Sequence, residues 1–214
     1  MIWNKDYLFI HVPKTAGMSM TQTFLNGLEG QITYAGPHER KKIDNIMYVP
    51  GKRHETLIDA ESYFTYTNQS IFDFKKIFVV MRSPYDLEIS RYAYLRKNLE
   101  TDRGLAQEIA LSSSFKEYLK AAPFFGQNPP RLDKYYQIGN SIPPNLVVLK
   151  YESLESEIRW KLAPHLKKID LGRENSSERK LVSEIFNPET EVLCFNRHKW
   201  FFEKGFYQRI DFDK

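Results

Sequence analysis

The run Lys76-Ile77-Phe78-Val79-Val80-Met81-Arg82 restricts the fold of this chain more than any other segment. Its five consecutive apolar residues, rich in β-branched and aromatic types, leave a strand with no polar side chain on either face. Such a strand must be covered on both sides. That is the situation of a strand in the middle of a parallel sheet with helices on both faces. Ser83 and Pro84 follow as N-cap and first helical residue, so a helix is predicted from there to about Leu99.

The same grammar recurs along the chain. Tyr7 to Val12 reads as a buried strand closed by Pro13, after which Ser19 is placed to cap a helix toward Leu28, with Met20, Phe24 and Leu28 four apart on one face. Leu146 to Lys150 is a third buried strand and Leu154 to Leu166 its helix. A short strand is predicted at Ile32 to Tyr34, a helix at Phe115 to Ala121, and a last helix from Asn187-Pro188 to near Gly205. Pro37 to Arg53 reads as a surface loop and Pro123 to Pro144 as an irregular excursion. The expected class is α/β, a central parallel sheet flanked by helices. At 214 residues one sizeable core is the expectation, hence a single domain over 1–214.

Composition narrows the function classes. A formal net charge of +4 suits a site for a small anion better than a surface that wraps a nucleic-acid backbone, so no nucleic-acid partner is expected. The single cysteine, Cys194, cannot close an intramolecular disulfide and lies in an apolar helical stretch, as an inert core thiol does. No run approaches the roughly 20 apolar residues of a membrane span, and no signal-peptide core is visible. The expectation is a cytoplasmic protein without an integral membrane segment.

Ligands of open parallel sheets bind beyond the carboxyl ends of the strands, at helix N-termini. Both chemically loaded motifs belong there. Lys14-Thr15-Ala16-Gly17-Met18-Ser19 offers backbone N–H groups, two small residues that permit close approach, two hydroxyls and a cation at the positive end of a helix. It suits a phosphate or a sulfate. It is not a Walker A loop, because its lysine precedes its glycine. The second motif places Arg82 at a strand end and Ser90 on the following helix, an arginine fork and a hydroxyl for a second anion. Two anion sites on adjacent strand ends imply a doubly phosphorylated ligand; the plainer alternative is that Arg82 pairs with a surface carboxylate and Ser90 is an exposed helical serine. The five histidines show no ligand spacing with Asp, Glu or Cys, so no metal is implied.

His11-Val12-Pro13-Lys14-Thr15-Ala16-Gly17-Met18-Ser19 resembles the 5′-phosphosulfate loop of the PAPS-dependent sulfotransferases related to the heparan-sulfate and chondroitin O-sulfotransferases and their bacterial relatives. Val80-Met81-Arg82-Ser83-Pro84-Tyr85-Asp86 through Ser90 is similar to that family's 3′-phosphate element. Weaker likenesses run through Leu149-Lys150-Tyr151-Glu152-Ser153-Leu154, Asn175-Ser176-Ser177 and Phe202-Glu203-Lys204-Gly205-Phe206-Tyr207. The resemblance implies a P-loop-like sulfotransferase fold. It implies PAPS (adenosine 3′-phosphate 5′-phosphosulfate) as sulfuryl donor, PAP (adenosine 3′,5′-bisphosphate) as product, and a hydroxyl acceptor, a carbohydrate by the family's habit. Pro13, Lys14, Thr15, Ala16, Gly17, Met18 and Ser19 would hold the 5′ end, Lys14 neutralising charge on the bridging oxygen, and Arg82 with Ser90 would hold the 3′-phosphate. Met18, Ser83 and Leu87 depart from the residues common in the family.

An alcohol acceptor profits from a general base of near-neutral pKa. His54, between the two motifs where the resembled enzymes often carry a histidine, is the first candidate, and His38 in the same region is the second. His11 reads as a satisfied strand residue, and His165 and His198 as structural residues of helices. Lys41-Lys42 with Lys52-Arg53 reads as a solvated charged face, Trp200-Phe201-Phe202 and Phe206-Tyr207 as core packing, and Phe124, Phe125, Tyr135 and Tyr136 as a wall for the acceptor. Two other classes stay open. A nucleotide-dependent kinase of related design would need Mg²⁺ and a triphosphate, and a non-catalytic binder of anionic ligands would keep the fold without turnover.

Overall fold

A computed structural model describes residues 1–37, 45–97, 99, 103–169 and 182–212. In chain order its elements begin with β1 (Ile2–Trp3), β2 (Tyr7–Ile10), α1 (Gly17–Gly27), β3 (Ile32–Gly36), β4 (Ile46–Pro50) and α2 (Leu57–Tyr66). Then come β5 (Lys76–Met81), α3 (Pro84–Lys97), α4 (Leu105–Ser112), α5 (Phe115–Ala121) and β6 (Leu146–Lys150). α6 (Leu154–Glu157), α7 (Val182–Ile185), α8 (Pro188–Arg197) and α9 (Lys199–Glu203) complete the series. Packing divides the chain into two compact units, Met1–Met81 with Lys134–Ser176, and Arg82–Asp133 with Ser177–Lys214.

The first unit is α/β. Its sheet, among the described residues, has six strands in the order β4-β3-β1-β2-β5-β6. β2, β5 and β6 pair in parallel, Ile10 opposite Val79 and Met81 opposite Lys150, as do β3 and β4. Between these two parallel groups lies β1, antiparallel to both neighbours, so the sheet is mixed where an all-parallel one was expected. The cause is local. Asn4 Oδ1 accepts hydrogen bonds from the N–H groups of Asp6 (3.0 Å) and Tyr7 (2.8 Å), an Asx turn that folds Ile2–Trp3 back along β2.

β5 is buried along its length, as its apolar run requires, but it lies one strand from the β6 edge and not in the middle. Phe9, Phe78, Val80 and Leu149 point to one face of the sheet. They pack with Met20, Phe24 and Leu28 of the α1 segment and with Ile158 and Leu162 beyond α6. The four-residue spacing of the α1 stripe therefore reads correctly. β4 occupies part of the stretch read as a surface loop; its apolar run Ile46-Met47-Tyr48-Val49 was passed over, and as an edge strand with Met47 exposed it tolerates its terminal Pro50. α2 was also not foreseen, although Thr56 and Asp59 form a reciprocal capping box at its start. The helix expected over Leu154 to Leu166 is present as a run whose turns widen at Ile158–Leu162 and tighten at Ala163–His165.

The second unit is helical among the described residues. Tyr85, Ile89 and Leu95 of α3 pack with Ala106 and Ala110 of the unforeseen α4, with Tyr118 and Leu119 of α5 and with Cys194 of α8. Asn187 caps α8 and Pro188 opens it, as the sequence predicts. The final helix is broken at His198, whose ring is buried with Nε2 2.7 Å from Oε1 of Glu88. No helix among the described residues is long and apolar enough to cross a membrane.

Candidate functional site

The segment after β2 turns sharply into α1. Lys14 and Ala16 both adopt left-handed backbone, at φ 64° and 59°, a conformation rare for residues with a side chain. Such residues cost about 1–3 kcal/mol each and collect at functional loops. Left-handed residues alternating with ordinary ones turn successive N–H groups to one side, the concave arrangement that holds anions. Thr15, between them, is buried and its hydroxyl donates to the carbonyl of Val12 at 2.9 Å, which ties the loop to itself.

α1 begins at Gly17, two residues before the predicted cap Ser19, and its N-cap is Ala16, which has no side chain able to cap. Where Thr56, Ser114 and Asn187 shield the starts of α2, α5 and α8, the first turn of α1 presents the N–H groups of Gly17, Met18 and Ser19 without such a cap. Met18 is exposed, so its thioether lies on the outer side of the first turn while its N–H stays part of the helix end.

His54 lies in the turn before α2 and is half-buried. Its Nδ1 is 3.2 Å from the carbonyl oxygen of His11. A carbonyl only accepts, so Nδ1 carries the hydrogen and Nε2 carries the lone pair, which is the tautomer a base needs. Burial first, and then the Arg53 charge, hold the imidazole below its ordinary pKa of 6.5, with the His11 carbonyl pulling the other way. It is neutral at pH 7. The Tyr135 hydroxyl donates to the His54 carbonyl at 3.2 Å and fixes the turn from the other side. Tyr136 donates to the carbonyl of Val80 at 3.0 Å. Both tyrosines are buried and hold the main chain.

His11 is the histidine read from the sequence as a satisfied strand residue. It follows the end of β2, is only 8% exposed, and lies edge-on to His54 with ring centroids 4.7 Å apart. Its carbonyl is used by His54. The ring fills the space beside Gly17, where an added Cβ would lie 1.7 Å from Nε2. Lys150, which sequence reasoning passed over, ends β6 opposite Met81, and burial lowers its pKa.

In the second unit Arg82 follows Met81 directly. It is buried, and its Nε donates to Oδ2 of Asp86 at 2.7 Å, so the plainer expectation of a carboxylate partner is met on that edge of the guanidinium. Ser90 stands four residues beyond Asp86 on α3 and is half-buried. His165 and His198 are structural as expected, the first 3.1 Å from the Tyr7 hydroxyl, the second on Glu88. Burial raises the Cys194 thiol pKa, which fits an inert thiol. His38, Lys41-Lys42 and Asn175-Ser176-Ser177 lie outside the described residues.

No family model, curated protein or solved structure matches the chain.

Proposed function

We propose that the chain is a PAPS-dependent sulfotransferase that transfers a sulfuryl group to a hydroxyl acceptor, with a carbohydrate as the acceptor class and the cytoplasm as its compartment. The observation that carries the reading is the loop between β2 and α1. Two left-handed residues, an uncapped helix start and Lys14 stand together at the carboxyl end of a parallel strand. These groups fit a tetrahedral anion without a metal ligand of their own.

PAPS would supply an activated sulfuryl group on a phosphate leaving group. Gly17, Met18 and Ser19 would direct their N–H groups at its oxygens, with Pro13, Thr15 and Ala16 shaping the loop. Lys14 would neutralise charge gathering on the departing bridging oxygen, as preorganised cations do in loose transfer reactions. His54 would accept the acceptor's hydroxyl proton at Nε2, its Nδ1 hydrogen held by the His11 carbonyl. Arg82, peptide-bonded to the last residue of β5, and Ser90 are the residues proposed for the 3′-phosphate. A P-loop-like sulfotransferase fold is the finer class that goes with this chemistry.

The ion pair of Arg82 with Asp86 favours a second reading, a non-catalytic binder of anionic ligands, because part of the guanidinium is already engaged. One experiment separates these readings from each other and from a kinase. PAP should raise the melting temperature in EDTA while ATP with Mg²⁺ does not, and [³⁵S]PAPS should label an acceptor from a polysaccharide panel. Stabilisation by PAP without any labelling would favour the binder. Stabilisation by ATP with Mg²⁺ alone would remove the sulfotransferase reading.

A further inference from the structure

A cavity of about 700 Å³ opens at the amino ends of β2 and β5, whereas the Lys14 loop follows the carboxyl end of β2. Its volume is within the roughly 300–1,000 Å³ usual for small-molecule sites. Its walls are the β1–β2 turn, the α1–β3 turn, the link from α2 to β5 and residues 164–166, all within the first compact unit. They are fixed before anything binds. Asn4 is buried, its Oδ1 taking the N–H groups of Asp6 and Tyr7 and its Nδ2 donating to the Glu29 carbonyl at 3.0 Å, which ties the two turns together.

Three half-buried rings line this cavity, those of Trp3, Tyr7 and His165. Trp3 packs edge to face with Tyr63 and Phe64, at 5.4 and 5.3 Å between centroids. Tyr7 tilts against His165 at 5.0 Å, its hydroxyl 3.1 Å from Nδ1. Rings already held in place lose little freedom to a ligand. The charges select against ions. Among the described residues the carboxylates of Asp6, Glu29 and Asp73 face the single ammonium of Lys5, which disfavours an anion. Lys75 holds Asp6 at 3.1 Å, so the negative excess is small and draws no polycation. Burial, then Lys76, keeps the His165 imidazole below its ordinary pKa of 6.5, hence neutral at pH 7. A neutral molecule with apolar faces and a rim of hydroxyl donors matches rings and carboxylates together.

We propose that this cavity is a second binding site, for a neutral oligosaccharide whose pyranose faces lie on the three rings and whose hydroxyls donate to the carboxylates of Glu29 and Asp73. The site stands whether or not the loop after β2 takes part in sulfuryl transfer. The test follows the indole N–H resonances of Trp3, Trp160 and Trp200 in the full chain by ¹⁵N NMR. The probes are maltotriose, cellotriose and triacetylchitotriose, with PAP as the anion and spermidine as the cation. At least one trisaccharide should move Trp3 saturably, while PAP leaves it in place. Glu29 is exposed, and Glu29→Ala should keep wild-type stability while weakening that binding by about tenfold or more, the loss of a hydrogen bond to a charged group. Silence of Trp3 toward all three sugars overturns the proposal. So does a response confined to Trp160, which is 78% exposed and reports unspecific stacking, or a Trp3 response to PAP or spermidine but to no sugar. Sugar affinity unchanged in Glu29→Ala also counts against it. PAP binding that fails while Trp3 responds to a sugar would sink the donor reading and leave this site standing.

Discussion

Replacing Gly17 by alanine tests the packing on which the site depends, because two physical effects predict opposite signs. Helix propensity alone favours alanine over glycine by about 0.5–1 kcal/mol in a helix interior. The structure predicts the contrary. A Cβ at position 17 would stand 1.7 Å from Nε2, 1.9 Å from Cδ2 and 2.6 Å from Cε1 of His11. Ordinary carbon contacts begin at roughly 3.5 Å, so the ring or the helix start must retreat by about 2 Å. The ring has little room to do so. His54 lies edge-on to it and Phe9 is stacked at 6.3 Å between centroids.

Forcing extra atoms into such a place costs about 1–3 kcal/mol. After the propensity gain, Gly17→Ala should lose about 1–2 kcal/mol, or roughly 2–8 °C in Tm for a chain of this size. Urea unfolding followed by circular dichroism measures it. His11→Ala in the same chain removes the obstacle, so the double variant should recover the loss, a coupling of about 1–3 kcal/mol. Gly17→Ala at or above wild-type stability would refute the close packing of His11 on α1, and with it the geometry assigned to the anion site.

The remaining predictions concern turnover and the second unit. Lys14→Ala should lower turnover by about 10²–10³ with little change in stability, and unchanged turnover would take Lys14 out of the chemistry. Because burial lowers the His54 pKa, wild-type turnover should rise with pH through a midpoint below 6.5 and then stay level; His54→Gln should abolish that acid limb. Glu88 is fully buried and accepts from Arg197 Nε (2.8 Å), His198 Nε2 (2.7 Å) and the Tyr118 hydroxyl (2.7 Å). Glu88→Gln should cost about 3–5 kcal/mol, since Arg91 and Arg197 lose their buried counter-charge; a change below 1 kcal/mol in urea unfolding contradicts this. Burial raises the Glu88 pKa, but Arg197 and His198 outweigh burial and hold it well below the usual carboxylate range. Its contribution is therefore complete above about pH 4.3 and lost as pH falls toward its own lower pKa, so the wild type should lose its advantage over Glu88→Gln in acid.

The amino-acid order alone determined the features that depend on neighbours within one or two turns. Buried apolar runs placed β2, β5 and β6, Ser83-Pro84 and Asn187-Pro188 placed the starts of α3 and α8, and the four-residue stripe placed the buried face of α1. The lysine and glycine after β2 likewise marked the loop that is proposed to hold the anion. Edges and polar groups were less legible. β4 does carry an apolar run, Ile46-Met47-Tyr48-Val49, but the proline, glycine and charged residues around it made the whole stretch read as a loop. The reversal at Asn4 that sets β1 antiparallel depends on a side chain taking two particular backbone partners.

At the candidate site the sequence named Lys14 and His54, and the surroundings of His11 came only with the fold. Its local pattern, a histidine closing an apolar strand, matches that of a satisfied residue. Only the folded chain brings the turn 43 residues later onto its carbonyl and sets the start of α1 against its ring. Short-range order fixes periodicity and caps; which polar groups come together depends on contacts between distant segments, and tertiary packing alone decides those.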